Sequence, residues 1–332
     1  KNFKEISRSE RAIIIALSDL NNFGEYVMGR YIIGRLLSIV PVLFVVSFLV
    51  FLMLHLVPGD PVTNMLGLHA SPEAVAEMTK RLGLDRPLHI QYLDFLKKAL
   101  KGDFGVSIRT KQPVLKEIKD RYPYTIKLAI GGTIFATIVG VMFGIISAVN
   151  MNKFWDNIIM VFSLLSVSTP SFFLALLVIL FFSLYLGLFP SMGILSPKHY
   201  ILPILTLGAQ SVGIMARMTR SAMLEVLNQD YIRTSRAKGM PERVIIYSHA
   251  LKNALIPVLT VIGLRFGGLL AGSALIESVF SIRGIGRLMI DGVLTRDYPV
   301  VQATVLLIAT TFIIINLIVD LLYRVVDPRI KY

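Results

Sequence analysis

Residues 230–252 read Asp-Tyr-Ile-Arg-Thr-Ser-Arg-Ala-Lys-Gly-Met-Pro-Glu-Arg-Val-Ile-Ile-Tyr-Ser-His-Ala-Leu-Lys, a polar and basic stretch between two long apolar runs. The pattern predicts two short helices at an angle. Asp230 suits the N-cap of a helix over Tyr231–Lys238, Gly239 suits its C-terminal end, and Pro241 suits the first turn of a second helix. A compact knob of this kind suits a groove on a soluble partner, and a basic helix held by anionic lipid shares its composition.

The flanks of this insert decide the class. The chain has 332 residues, 55% hydrophobic and 17% charged, with a mean hydropathy of +0.69. That is too apolar for an ordinary soluble domain and long enough for several membrane crossings, so the fold class is an all-α polytopic membrane protein. The net charge of +13 does not indicate nucleic acid, because Lys and Arg of membrane proteins collect in short cytoplasmic loops and at headgroups. With no cysteine, disulfides, thiolate nucleophiles and Cys-ligated metals are excluded.

A crossing needs about 20 mainly apolar residues. Five stretches qualify, 33–56, 126–149, 201–227, 254–276 and 300–324. The remaining apolar stretch, 155–188, contains Ser168-Thr169-Pro170-Ser171, where proline removes a helix hydrogen bond and restricts the residue before it. One kinked span there gives six crossings, and two short ones would give seven. Residues 217–252 carry seven basic residues, Arg217, Arg220, Arg233, Arg236, Lys238, Arg243 and Lys252, against three acids, whereas loop 189–200 carries only Lys198. The insert is therefore expected in the cytoplasm. Arg30, Arg35, Arg324, Arg329 and Lys331 flank the first and last spans and place both termini there too. Even parity favours six spans with a kinked third.

The domain reading follows. Residues 1–27 are polar, lack the apolar core and cleavage site of a signal peptide, and read as an N-terminal extension, with Met28 as a candidate natural start. Residues 28–56 are an amphipathic lead and the first span. Residues 57–125 form an extracytoplasmic loop domain with helices expected over 72–82 and 87–100 and a turn over 101–105. Residues 126–332 are a core of five spans, with a cytoplasmic loop at 228–252.

No phosphate-binding Gly-x-x-x-x-Gly-Lys-Ser/Thr loop, His-Glu-x-x-His pair or Gly-x-Ser-x-Gly elbow occurs, and the five histidines are scattered. No catalytic or metal-binding residue is therefore expected. Ionisable groups inside spans cost about 2.5–3.5 kcal/mol each on insertion scales and need a partner, a cavity or a function. Arg265 lies near the middle of the fifth span among Gly263, Gly267, Gly268 and Gly272. It either lines a water-filled path or pairs with a polar group on another helix. Gln210, with Ser168 and Thr169 at the break in span three, either lines a polar path or makes interhelical hydrogen bonds. The glycine pairs Gly140 and Gly144, Gly263 and Gly267, and Gly268 and Gly272 permit close helix approach.

Residues 230–252 resemble the EAA loop of bacterial ABC-importer permeases, in the form of the dipeptide/oligopeptide/nickel group. In the pattern Glu-Ala-Ala-x3-Gly-x9-Ile-x-Leu-Pro, Gly239 fits the glycine and Leu251 the leucine. Arg233-Thr234-Ser235 stand at the first three positions, His249 replaces Ile and Lys252 replaces Pro, departures similar to those of the peptide/nickel group. Further resemblance lies in Leu56-Val57-Pro58-Gly59-Asp60-Pro61, Gly102-Asp103-Phe104-Gly105-x-Ser107, Phe280-Ser281-x-x-Gly284-Ile285-Gly286-Arg287, and the tail with Val319-Asp320-Leu321-Leu322-Tyr323 and Asp327-Pro328-Arg329. Arg265 stands where the family suggests an uncharged polar residue.

The resemblance implies a B-type subunit that pairs with a C-type permease, two P-loop ATPases that bind the cytoplasmic loops and carry the ATP and Mg, and a solute-binding protein outside. It implies import of peptides or chelated nickel across a bacterial cytoplasmic membrane, with no cofactor on this chain. The residues expected to couple to the ATPases are Tyr231, Arg233, Arg236, Ala237, Gly239, Pro241 and Glu242. Two other readings fit the composition. One is an ion-coupled secondary transporter using Arg265 and Asp320; the other is a membrane scaffold whose insert recruits a partner without transport.

Overall fold

A computed structural model describes residues 37–52, 62, 66–67 and 70–326 of the chain. The N-terminal extension, the Leu56–Pro61 motif, the tail Asp327–Arg329 and the flanking residues Arg30, Arg35 and Lys331 lie outside the described residues.

The chain divides into two compact units, residues 1–49 and 50–332. The helix α1 (Leu37–Leu52) is apolar nearly all round, with Leu37, Val40, Phe44 and Leu49 exposed. It is shorter than the helices that are long and apolar enough to cross a membrane.

Two helices precede the long ones. In α2 (Pro72–Leu82), Ser71 accepts a hydrogen bond from the Ala74 amide at its side-chain oxygen, Pro72 fills the first position, and Gly83 closes the helix at φ 69°. These are standard start and stop signals. After α3 (Leu88–Leu100), the chain turns through Gly102 and Gly105, both at positive φ, and the Gly105 amide donates to the Asp103 carboxylate (2.9 Å).

The helix α4 (Val114–Val149) starts 12 residues before the stretch expected to cross the membrane. Its first turns carry Lys116, Glu117, Lys119, Asp120 and Arg121, which hydropathy reads as loop. Val114 and Ile118 nevertheless pack with Ile285, Leu288 and Val300, and that buried stripe keeps the helix going beyond its apolar part.

Next come α5 (Phe154–Ser168) and α6 (Ser171–Tyr185), bent by 109° at Thr169-Pro170. The expected kinked span is thus a sharply broken pair. Pro170 has no amide to donate, and Thr169 is extended at φ −82°, ψ 125°, so the helix ends there instead of bending through.

A 3₁₀ turn, Pro197–Tyr200, leads into α7 (Ile201–Leu227), which packs along α4. Backbone meets backbone here. A Cβ on Gly144 would lie 2.8 Å from the Ala216 carbonyl oxygen, and one on Gly208 would lie 2.8 Å from that of Gly132. The Gly140/Gly144 pair therefore serves the close approach expected of it. Gly263 and Gly267 do the same against Val319 and Phe312, whereas Gly268 and Gly272 meet no close neighbour.

The short α8 (Asp230–Ala237) is followed by α9 (Glu242–Val279), then α10 (Ile285–Leu294) and α11 (Tyr298–Val326). Among the described residues, α4, the segment Pro197–Leu227, α9 and α11 are each long and apolar enough to cross a membrane, and the α5–α6 pair adds a fifth candidate. The interior holds separate apolar clusters. One gathers Leu128, Ile179, Leu202, Leu269, Ile276 and Phe280. Another gathers Ile145, Met223, Ile232, Ile245, Ile246 and Ala254 around the polar insert.

Candidate functional site

The insert is built from α8 and the start of α9, with one buried side chain as its root. Ile232 is fully buried in the cluster with Met223, Ile245, Ile246 and Ala250. Sequence reading passed over it, although an isoleucine amid charged residues is the signal that one face of α8 packs. The remaining face points outward. Tyr231, Arg233, Arg236, Ala237, Gly239 and Glu242 are exposed.

Asp230 occupies the first helical position rather than the cap, which is Gln229, and faces Arg233 at 3.6 Å. Gly239 ends α8 at φ 74°, its amide donating to the Arg236 carbonyl (3.0 Å). Pro241 is the cap of the next helix, and its carbonyl accepts from the amides of Val244 (2.9 Å) and Ile245 (3.2 Å).

Two bonds brace the turn from opposite sides. The Arg236 guanidinium donates to both carboxylate oxygens of Glu242 (2.7 and 3.3 Å), and the Asn253 amide donates to the Tyr231 hydroxyl (2.8 Å). The Arg236–Glu242 pair is exposed and contributes on the order of 0.2–1 kcal/mol, so its effect is to hold the angle of the turn more than to add stability.

The second short helix of the expected knob is not separate. Glu242 opens a helix that continues to Val279, with wider turns over Ile245–Ala250. No glycine or proline interrupts residues 242–256, and Ile245, Ile246, Ala250 and Ala254 form one buried stripe. The helix then runs on through Pro257 to Val279.

Beside the knob, Asp156 is buried (2% exposed) and takes a bidentate bond from Arg220 (2.7 Å twice). The Ser147 hydroxyl and the Asn152 amide also donate to it. Arg220 had served only in the charge count; its partner lies 64 residues away, beyond any local pattern. The pair ties the α4–α5 turn to α7, the helix that feeds the knob.

The four residues expected along a path are only partly brought together. The Gln210 amide donates to the Thr169 carbonyl (2.8 Å), near the break that Pro170 creates, and the Thr169 hydroxyl donates to the Leu165 carbonyl (2.7 Å). Ser168 is exposed beside them. Arg265 stands apart on α9, exposed.

At the other end of α9 lies a centre that sequence reading missed. Glu277 is fully buried. It accepts from the Thr125 hydroxyl (2.6 Å) and the Arg287 amide (2.9 Å), and Thr125 accepts from the Ile285 amide (2.8 Å). The carboxylate thus caps the N-terminus of α10, where unpaired amides and the helix dipole favour negative charge. Nearby, Asp297 accepts from the Ser107 hydroxyl (2.5 Å) and the Arg109 amide (3.1 Å), tying the 101–113 segment to the α10–α11 turn.

A bundle of apolar helices with a braced basic knob at one end and a capped short helix at the other defines a membrane-embedded helical protein. Residues 140–332 match the family described as binding-protein-dependent transport system inner membrane component. Residues 28–129 match the N-terminal part of such membrane components. The chain belongs to this family. The glutathione transport system permease proteins GsiC of Escherichia coli and of Salmonella typhimurium are each 46% identical over 305 residues, 92% of this chain and 100% of theirs. In fold, the chain is similar to the inward-facing MetNI methionine ABC transporter, with a TM-score of 0.53 at 21% identity, over 61% of this chain and 93% of that one. It is a multi-pass permease subunit of an ABC importer, a transport component rather than a catalytic enzyme.

Proposed function

We propose that this subunit carries peptides inward across the bacterial cytoplasmic membrane, powered by ATPases that grip the knob. The observation that supports this most directly is the continuity of α8's braced turn with α9, because a force on the exposed face of Tyr231, Arg233, Arg236, Ala237, Gly239, Pro241 and Glu242 travels along one rod. The peptide cargo is inferred from the relatives named for glutathione, a tripeptide; chelated nickel is the other cargo class considered.

In this reading the membrane unit has six spans, with α1 as the first and the α5–α6 pair as the third. Both termini and the knob face the cytoplasm, and residues 57–125 form an external domain. A second permease of C type completes the path, two P-loop ATPases hold ATP and Mg, and a solute-binding protein delivers the peptide. ATP-driven closure of the ATPases pulls the knob and exposes the path alternately to each side, with weak cargo binding in at least one state. Membership of the binding-protein-dependent family leaves no ground for the ion-coupled or scaffold readings.

Affinity purification of the chain from native membranes tests the assembly. A second permease and one or two P-loop ATPases are expected with it, and reconstituted vesicles holding all of them should take up glutathione or a dipeptide only with ATP. Recovery of the chain alone at every detergent strength would end the proposal.

A further inference from the structure

Arg265 is placed where an arginine is hardest to keep. On α9 the nearest ionisable residues are Lys252 and Glu277, 13 residues before and 12 after it, about 18–20 Å away at about 1.5 Å per residue. With a hydrocarbon core about 30 Å thick, the guanidinium sits near the midplane, beyond the reach of a side chain that snorkels to either headgroup layer. Among the described residues it has no hydrogen-bond or ion-pair partner.

Its surroundings are open on one side only. Gly263 and Gly267 face α11, in contact range of Val319 and Phe312. On Arg265's own side, one and two turns further on, nothing lies within 4 Å of a Cβ built on Gly268, and Gly272 meets only a Leu207 methyl at 3.9 Å. Leu264 and Leu275 stand exposed at the two ends of this strip. Asp156 lies in the first turn of α5 and Glu277 in the last turn of α9, whereas Asp320 of α11 follows Val319, which packs against Gly263, and has an interaction of its own. Among the described residues, no acid is paired with the guanidinium.

We infer that Arg265 contacts the carboxylate of the peptide cargo as it passes the midplane. This rests on the peptide reading above. Every linear peptide with a free C-terminus brings a carboxylate, a guanidinium binds it in a two-pronged fork, and a charge at this depth is tolerated where it lines a water-filled path. The small residues beside it leave room for the cargo backbone, and one fixed cation without a surrounding cage attracts without trapping.

The test uses the complete transporter in vesicles with its binding protein, a peptide with a free C-terminus, the same peptide as its C-terminal amide, and Arg265→Lys and Arg265→Gln variants. Arg265→Gln is expected to slow uptake of the free acid at least tenfold and the amide less than twofold, with binding-protein-stimulated ATPase retained. Arg265→Lys keeps the charge but not the fork, so its uptake of the acid should lie between those of wild type and Arg265→Gln. If the wild type refuses the amide, the acid alone decides: loss in Gln and partial recovery in Lys support the contact. Wild-type uptake of the acid by Arg265→Gln overturns it, as does equal loss for acid and amide. Failure of Arg265→Gln to co-purify with the second permease, where Arg265→Lys does, also overturns it, in favour of an ion pair between subunits. A wild-type transporter that carries no peptide at all defeats the peptide reading itself.

Discussion

Gly239 holds φ at 74° with nothing within 4 Å of where a side chain would stand, so its requirement is conformational and not steric. Alanine there costs on the order of 1–2 kcal/mol in a left-handed backbone, and proline cannot adopt that φ or donate the bond to Arg236. Gly239→Ala is expected to lower ATP-driven uptake a few-fold, and Gly239→Pro to abolish it while ATPase activity and membrane insertion persist. Parallel uptake, ATPase and membrane-fraction measurements check this, and loss of Gly239→Pro from the membrane would make the residue one for folding. Asp156 and Arg220 pose the opposite problem. Removing one member leaves a desolvated charge, at about 3–5 kcal/mol, whereas replacing both with apolar residues is often neutral. Asp156→Ala should therefore drop the melting temperature of the detergent-solubilised complex by several degrees, and Asp156→Leu with Arg220→Met should recover most of it.

At the scale of elements, the α5–α6 break shows what was legible and what was not. Proline chemistry announced a break at Pro170, and Ser71-Pro72 announced the start of α2, because each is a local backbone rule. The 109° angle has no local cause. It depends on how α5 and α6 each pack on α7, where Gln210 holds the Thr169 carbonyl. Hydropathy likewise drew α4 too short, because Val114 and Ile118 are buried by residues about 170 positions downstream. The same limit hid Asp156 and Glu277, whose partners Arg220 and Thr125 come from distant helices. Gln210 is thus a brace for the break as well as a candidate path residue, and the two roles separate experimentally. Gln210→Leu leaves the Thr169 carbonyl unpaired, at about 1–3 kcal/mol. The expected result is a lower melting temperature with the preference among peptides unchanged. An altered preference at unchanged stability would return Gln210 to the path.

On the scale of the whole molecule, α9 links the two centres that matter. Its first turn is braced to α8 through Arg236 and Glu242, and its last turn carries Glu277, which caps α10 and holds Thr125 of α4. A rod fixed at both ends passes motion only if both joints hold. The joint at Glu277 is the more demanding one, since the carboxylate is fully buried and a Cβ on Gly284 would strike it at 2.2 Å. Glu277→Ala removes the acceptor for the Arg287 amide and the Thr125 hydroxyl together, freeing α10 from α9 while the knob stays intact. The binding protein should then no longer stimulate ATP hydrolysis, with at least a tenfold loss, although the basal ATPase rate of the assembled complex is kept. Glu277→Gln retains one acceptor oxygen in nearly the same volume and should stay within about threefold of wild type. If Glu277→Ala instead lowers basal and stimulated rates by the same factor, the joint serves assembly alone. Motion would then have to pass between the two ends through α7, whose contact with α4 is backbone to backbone and leaves little freedom to slide.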